Sequence, residues 1–145
     1  MMNREILFKA KRKDNGEWVE GYLFEFQPCQ YMICDKKEYE RPSTLPVLCF
    51  FRCCSYAIDP DTLSQYTGLT DKNGQKIWEN DICDRKEKYP EIVAYNKGDW
   101  QLDYSYAFGK EMHSNACNLG FYACERNCVE VIGNIFDNED LLEVE

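Results

Sequence analysis

Histidine is nearly missing from this sequence: His113 stands alone among 145 residues, and no stretch approaches 18 consecutive apolar residues. The second absence excludes an ordinary membrane-spanning helix, which needs about 20 apolar residues to cross the hydrocarbon core. The opening "MMNREILFKAKRK" lacks the apolar central region and small-residue cleavage site of a secretory leader. A cytosolic setting is therefore expected, where thiols stay reduced. Glycine-rich phosphate loops of either type are absent, as are internal repeats and low-complexity tracts. Basic residues are also scarce: 17 Lys and Arg face 26 Asp and Glu, a net charge of −9. Binding to nucleic acid or anionic lipid draws on Lys and Arg displacing counterions, so neither is a natural default partner.

What remains is ample for a folded core: 44% of residues are hydrophobic and 14% aromatic, enough to exclude wholesale disorder. The charge is uneven. "REILFKAKRK" carries five bases against Glu5, while the tail "DNEDLLEVE" carries Asp137, Glu139, Asp140, Glu143 and Glu145 with no base. These read as a solvated strand and a solvated terminus, with contact between opposite-sign ends or between subunits as the sharper alternative.

Nine cysteines, an odd number, argue against a disulfide framework. Cys49 and Cys53, and Cys124 and Cys128, fall within the spacing of zinc ligands, but neither pair encloses the turn residues of a knuckle. His113, Cys117, Cys124 and Cys128 have near-helical spacing, yet on one helix the outer two would lie roughly 22 Å apart. One ion cannot collect all four. The expected state is free thiols acting as small interior hydrophobes, with no metal and no cofactor. A Cys–His nucleophile built on His113 lacks any local signature.

Period-two alternation dominates and predicts a mainly β chain. "ILFKAKR" and "EWVEGYLFEF" predict a hairpin around Asp14-Asn15-Gly16, with Trp18, Tyr22, Phe24 and Phe26 on one face. "YMICD", "EIVAYN" and "VEVIGNIF" are further strands. "WQLDYSYAF" predicts nine residues of strand, with Trp100, Leu102, Tyr104, Tyr106 and Phe108 facing inward. "KKEYERPSTLP" reads as loop, and "VLCFFRCCSYAI" as a run that is buried or paired. Asp59-Pro60 starts a helical turn, and "NEDLLEV" a short helix capped by Asn138.

The stretch "SQYTGLTDKNGQKIWENDICD" concentrates chemistry-bearing residues: Asp71, Glu79, Asp81 and Asp84 within fourteen positions. An EF-hand loop begun at Asp71 fails, because Gly74 stands at its fourth position and Ile82 at its twelfth. Nothing in the spacing forces two carboxylates onto one substrate. The residues instead compose a hairpin, with Asn73-Gly74 as its turn and Glu79-Asn80-Asp81 redirecting the chain.

This same stretch resembles the signature of the YopX family of phage and prophage proteins, through Gln65, Tyr66, Thr67, Gly68, Leu69, Asp71, Lys72, Asn73, Gly74, Ile77, Trp78, Glu79, Asp81 and Ile82. "REILFKA", "GEWVEGYLFE" and "EVIGNIFDNEDLL" extend the resemblance to both ends. Ser64 and Asn80 stand where the family usually has Gly. Asn tolerates the left-handed region, so the second turn is expected to survive. The resemblance implies an SH3-like small barrel over residues 62–145, with β-strands of an N-terminal subdomain, residues 1–61, packed against it. It implies no catalytic residue.

The function expected from all this is a non-enzymatic protein-interaction module in the host bacterial cytosol, with an unknown host or phage protein as partner. Tyr66, Trp78 and Trp100 are the candidate contact residues. Nucleic-acid binding through the basic first strand, or mimicry of nucleic acid by the carboxylates, is the alternative. Membrane binding is not expected, and self-association stays open.

Overall fold

The computed structural model describes residues 4–107 and 117–143, and the first thing it builds is the expected hairpin. Strands β1 (Phe8–Lys11) and β2 (Trp18–Gln27) pair in the register Phe8↔Gly21 to Lys11↔Trp18. Gly16 takes φ +72° in the turn between them, a conformation cheap only for a residue without Cβ. Strand β3 (Gln30–Asp35) returns along β2, and β4 (Ser55–Ala57) borders β3. Strand β5 (Ser64–Thr70) begins by pairing Ser64 and Gln65 with β1. One face of this sheet carries a core of Ala10, Val19, Ile33 and Ile58, with Phe8, Leu23, Tyr31, Tyr56 and Leu63 packed on it. Alternation sends Trp18, Tyr22, Phe24 and Phe26 to the other face.

The chain divides into two units, Met1–Gln65 and Tyr66–Glu145. The division falls inside β5 rather than at 61/62, because Ser64 and Gln65 are already paired with β1. In the second unit β5 pairs with β6 (Lys76–Trp78), and Gly74 takes φ +81° in the turn. The other strands are β7 (Asp81–Asp84), β8 (Glu91–Asn96), β9 (Asp99–Asp103), β10 (Cys117–Asn118) and β11 (Glu130–Asn134). They form an antiparallel sheet in the order β10-β9-β8-β7-β11. Its core is Ile77, Cys83, Val93, Leu102, Leu119, Ala123 and Val129. The fold is thus mainly β in two antiparallel sheets, and no strand pairing among the described residues closes either into a barrel.

Four expectations need correction. The loop read in "KKEYERPSTLP" contains a helical turn, α1 (Lys36–Tyr39), started by Asp35, whose Oδ1 accepts from the N–H groups of Lys37 and Glu38. "VLCFFRCC" is a helix, α2 (Val47–Cys54), before the chain enters β4. Pro46 precedes it, and the Pro46 carbonyl accepts from Phe50 N at 2.9 Å. The strand read over 100–108 stops at Asp103. Its Oδ1 captures the Ser105 N–H at 2.7 Å, and Ser105–Ala107 turn as a 3₁₀ helix; Phe108 lies outside the described residues. Glu139–Leu142 is a 3₁₀ turn that Asn138 does not cap, because its Oδ1 accepts from Asn134 N instead.

Asn80 fulfils its expected role, standing at φ +70° before Asp81. Replacing it by Ala should cost about 1–2 kcal/mol, the penalty of a Cβ in the left-handed region without the asparagine's local hydrogen bonding. Asn80→Gly should be neutral within a few tenths. Equilibrium denaturation of the two variants measures the difference.

Candidate interaction surface

Two carboxylates of the central stretch, Asp71 and Asp81, are occupied by the backbone. Asp71 is 4% exposed, and its Oδ1 accepts from Asn73 N and Gln75 N, each at 2.9 Å, while Oδ2 accepts from Val131 N at 3.0 Å. One side chain thus closes the β5–β6 turn and ties it to β11. Burial alone would push this carboxyl up, but the three hydrogen bonds outweigh it and hold the carboxyl below its ordinary value. Asp81, also buried, accepts from Trp78 N at 2.8 Å through Oδ2 and fixes the turn at Asn80.

A second buried cluster surrounds Arg85. Its Nε donates to Glu91 at 2.5 Å, Nη1 to Glu87 at 3.1 Å and Nη2 to Cys117 Sγ at 3.2 Å, and the guanidinium lies 4.2 Å from the Tyr122 ring centre. Burial, with Glu91 and Glu87 adding to it, leaves the Cys117 thiol above its ordinary value despite Arg85. This is the opposite of an activated nucleophile. Among the described residues no three His, Cys, Asp or Glu side chains converge to hold a metal; His113 lies outside them. Nor do the cysteines all act as interior hydrophobes. Cys34, Cys54 and Cys83 are buried, whereas Cys29, Cys49, Cys53 and Cys124 are exposed. A cleft of about 440 Å³ beside Tyr106 is lined by Glu139, Asp140, Leu142 and Glu143.

The aromatics chosen from sequence occupy two places. Tyr66 and Trp78 are cross-strand partners with ring centres 5.4 Å apart, and Trp78 is 5% exposed, so its ring serves the interior. Trp100 packs against the second unit's core and stands 5.0 Å from Tyr95, its partner on β8. Tyr66 and Trp100 each keep part of their surface accessible.

Among the described residues, exposed apolar side chains gather elsewhere, on α2. Val47, Leu48 and Phe51 are exposed, Leu48 by 84% and Val47 by 69%, joined by Leu45, Phe26 and Tyr39. Behind them runs a chain of rings. Tyr22 meets Tyr39 at 4.9 Å, Tyr39 meets Phe50 at 6.3 Å, Phe50 meets Phe51 at 6.2 Å and Phe51 meets Phe24 at 5.9 Å, all edge to face. Such pairs contribute beyond simple burial, so α2 is held on the aromatic face of β2 by its inner side while its outer side stays uncovered. Sequence reasoning missed this surface. The signal was present in Pro46 followed by eight mostly apolar residues, with Leu48 and Arg52 one turn apart.

No helix among the described residues is long and apolar enough to cross a membrane. The family model described as YopX protein matches residues 7–143. Among solved structures, the chain resembles the crystal structure of protein EF1440 from Enterococcus faecalis, with 25% identity and a TM-score of 0.58. That match covers 97% of this chain and 100% of the other. No curated protein matches.

Proposed function

The chain belongs to the YopX family, and from that premise we propose that it is a non-enzymatic protein-interaction module, working in the bacterial cytosol on behalf of a phage or prophage. The observation that carries this reading is the uncovered apolar side of α2, Leu48 and Val47 above all. Contiguous apolar surface of this kind marks interaction sites in soluble proteins, because leaving it in water is unfavourable and covering it is not. Tyr66 and Trp100 are the candidate contacts of the second unit. We read that unit as an opened variant of an SH3-like barrel, with the β5–β6 hairpin and the five-stranded sheet around one core.

Nucleic-acid binding through β1 is the weaker reading. Lys9 and Lys11 lie over the Trp18 ring at 4.9 and 5.5 Å, and Arg12 pairs with Asp14 at 2.6 Å while stacking on Tyr56. The basic strand is thus engaged within its own unit.

The test is affinity recovery of the tagged chain from cells that also express an untagged copy, with and without nuclease, read by mass spectrometry. Protein partners that survive nuclease and fall at least tenfold with Leu48→Glu would support the reading. Recovery of nucleic acid alone, or of partners that vanish with nuclease, would overturn it.

A further inference from the structure

We propose that the occupant of the α2 face is a second copy of this chain, the two packing face to face through α2 about a two-fold axis. The inference rests on the interaction reading above and names its partner.

The extent of the face is the first argument. Leu45, Val47, Leu48, Phe51, Phe26 and Tyr39 are between 41 and 84% exposed. For side chains of this size those fractions leave roughly 700 Å² uncovered. A stable interface of ordinary size takes about 800 Å² from each partner, so this face alone supplies most of one.

Its composition is the second. Transient interfaces are about as polar as the rest of a protein surface, whereas homodimer interfaces are more apolar. On α2 the only charged residue is Arg52. A face this apolar suits a partner present whenever the chain is made, and only another copy is supplied in equal amount with every molecule synthesised.

Charge is the third. Residues 1–65 hold nine Lys and Arg against ten Asp and Glu, while residues 66–145 hold eight against sixteen. Nearly all of the net charge is carried by the second unit. Contact through the first unit brings together its least charged portion, so the repulsion expected of a chain at −9 is small there. The two carboxylates that most closely precede α2 in sequence are already paired: Glu38 with Arg41 at 3.4 Å and Glu40 with Lys36 at 3.7 Å. The face therefore presents little that has to be desolvated without a partner.

Light scattering and sedimentation of the purified full-length chain, over a hundredfold range of concentration, test the proposal. The expected result is a species of twice the chain mass. Leu48→Glu should raise its dissociation constant at least tenfold, and Val47→Lys similarly, both with unchanged circular dichroism because neither side chain is enclosed in the monomer. Tyr95→Ser, a change at another exposed aromatic, should leave the dimer intact. A wild-type chain that is monomeric throughout would overturn the proposal, as would a dimer indifferent to both α2 variants. Should the chain be monomeric while Leu48→Glu still abolishes recovery of some other protein, the interaction reading stands and the second copy is excluded.

Discussion

Asp71→Ala should lower stability by about 3–5 kcal/mol, more than any other single change to a polar side chain of the central hairpin. The substitution strands three N–H groups, those of Asn73, Gln75 and Val131, at a site only 4% exposed. Each unsatisfied buried donor costs on the order of 1–3 kcal/mol, and water entering the space left by the carboxylate recovers part of that. Thermal unfolding should fall by roughly 10–15 °C. Asp71→Asn should be intermediate, since one amide oxygen can serve one end of the network while the amide nitrogen confronts a donor at the other. The carboxylate also carries a pH signature. Its folded value is depressed relative to the unfolded chain, so its contribution is fully present above the unfolded value near 3.9 and lost as pH falls through the folded value. Acid titration of wild type and Asp71→Asn should therefore converge below about pH 4. Parallel curves down to the lowest pH would show that Asp71 is not the group responsible.

Arg85→Ala should cost a similar amount, about 3–5 kcal/mol, for a different reason. Glu91 is 1% exposed and Arg85 is its partner at 2.5 Å. Removing the guanidinium leaves a buried carboxylate that must either stay charged without compensation or take up a proton. Arg85→Lys keeps the charge but loses the fork that spans Glu91, Glu87 and Cys117 and the stacking on Tyr122. Roughly half the loss is expected there. The double variant Arg85→Leu with Glu91→Leu should recover most of the stability, because an apolar pair of similar volume needs no desolvation of charge. If the double variant is as unstable as Arg85→Ala, the cluster's contribution comes from packing rather than from the ion pair. Denaturant titration of the four proteins decides between these.

Much of the β architecture could be read before any coordinates, because it is written in local chemistry. Gly16 and Gly74 hold positive φ where Asn-Gly announced a turn. Alternation placed Trp100 and Leu102 on the core side of β9. What alternation could not show is where pairing stops. At Asp103 the side chain competes for a backbone N–H, and the pattern continues in letters after the strand has ended in space. For α2 the difficulty was length. Eight residues, seven of them apolar, make little more than two helical turns, too few for a period of 3.6 to stand out from a buried strand. The assumption that a dense apolar run must be covered then hid the surface that the functional reading rests on. Trp78 shows the converse. Its aromatic character marked it as a contact, but cross-strand packing on Tyr66 and the turn held by Asp81 draw it inside, and neither is visible in residue identity.

The placement of the three tryptophans has a spectroscopic consequence. Trp18 belongs to the first unit, half-exposed beneath the ammonium groups of Lys9 and Lys11, whereas Trp78 is enclosed in the second and Trp100 sits partly covered against its core. Indole emission shifts to shorter wavelength as the ring leaves water, so the native spectrum is a composite of one enclosed emitter, Trp78, and two partly exposed ones, Trp18 and Trp100. The enclosed emitter belongs to the second unit alone. In a denaturation series, the blue edge of the emission follows the core around Ile77, where Trp78 is enclosed.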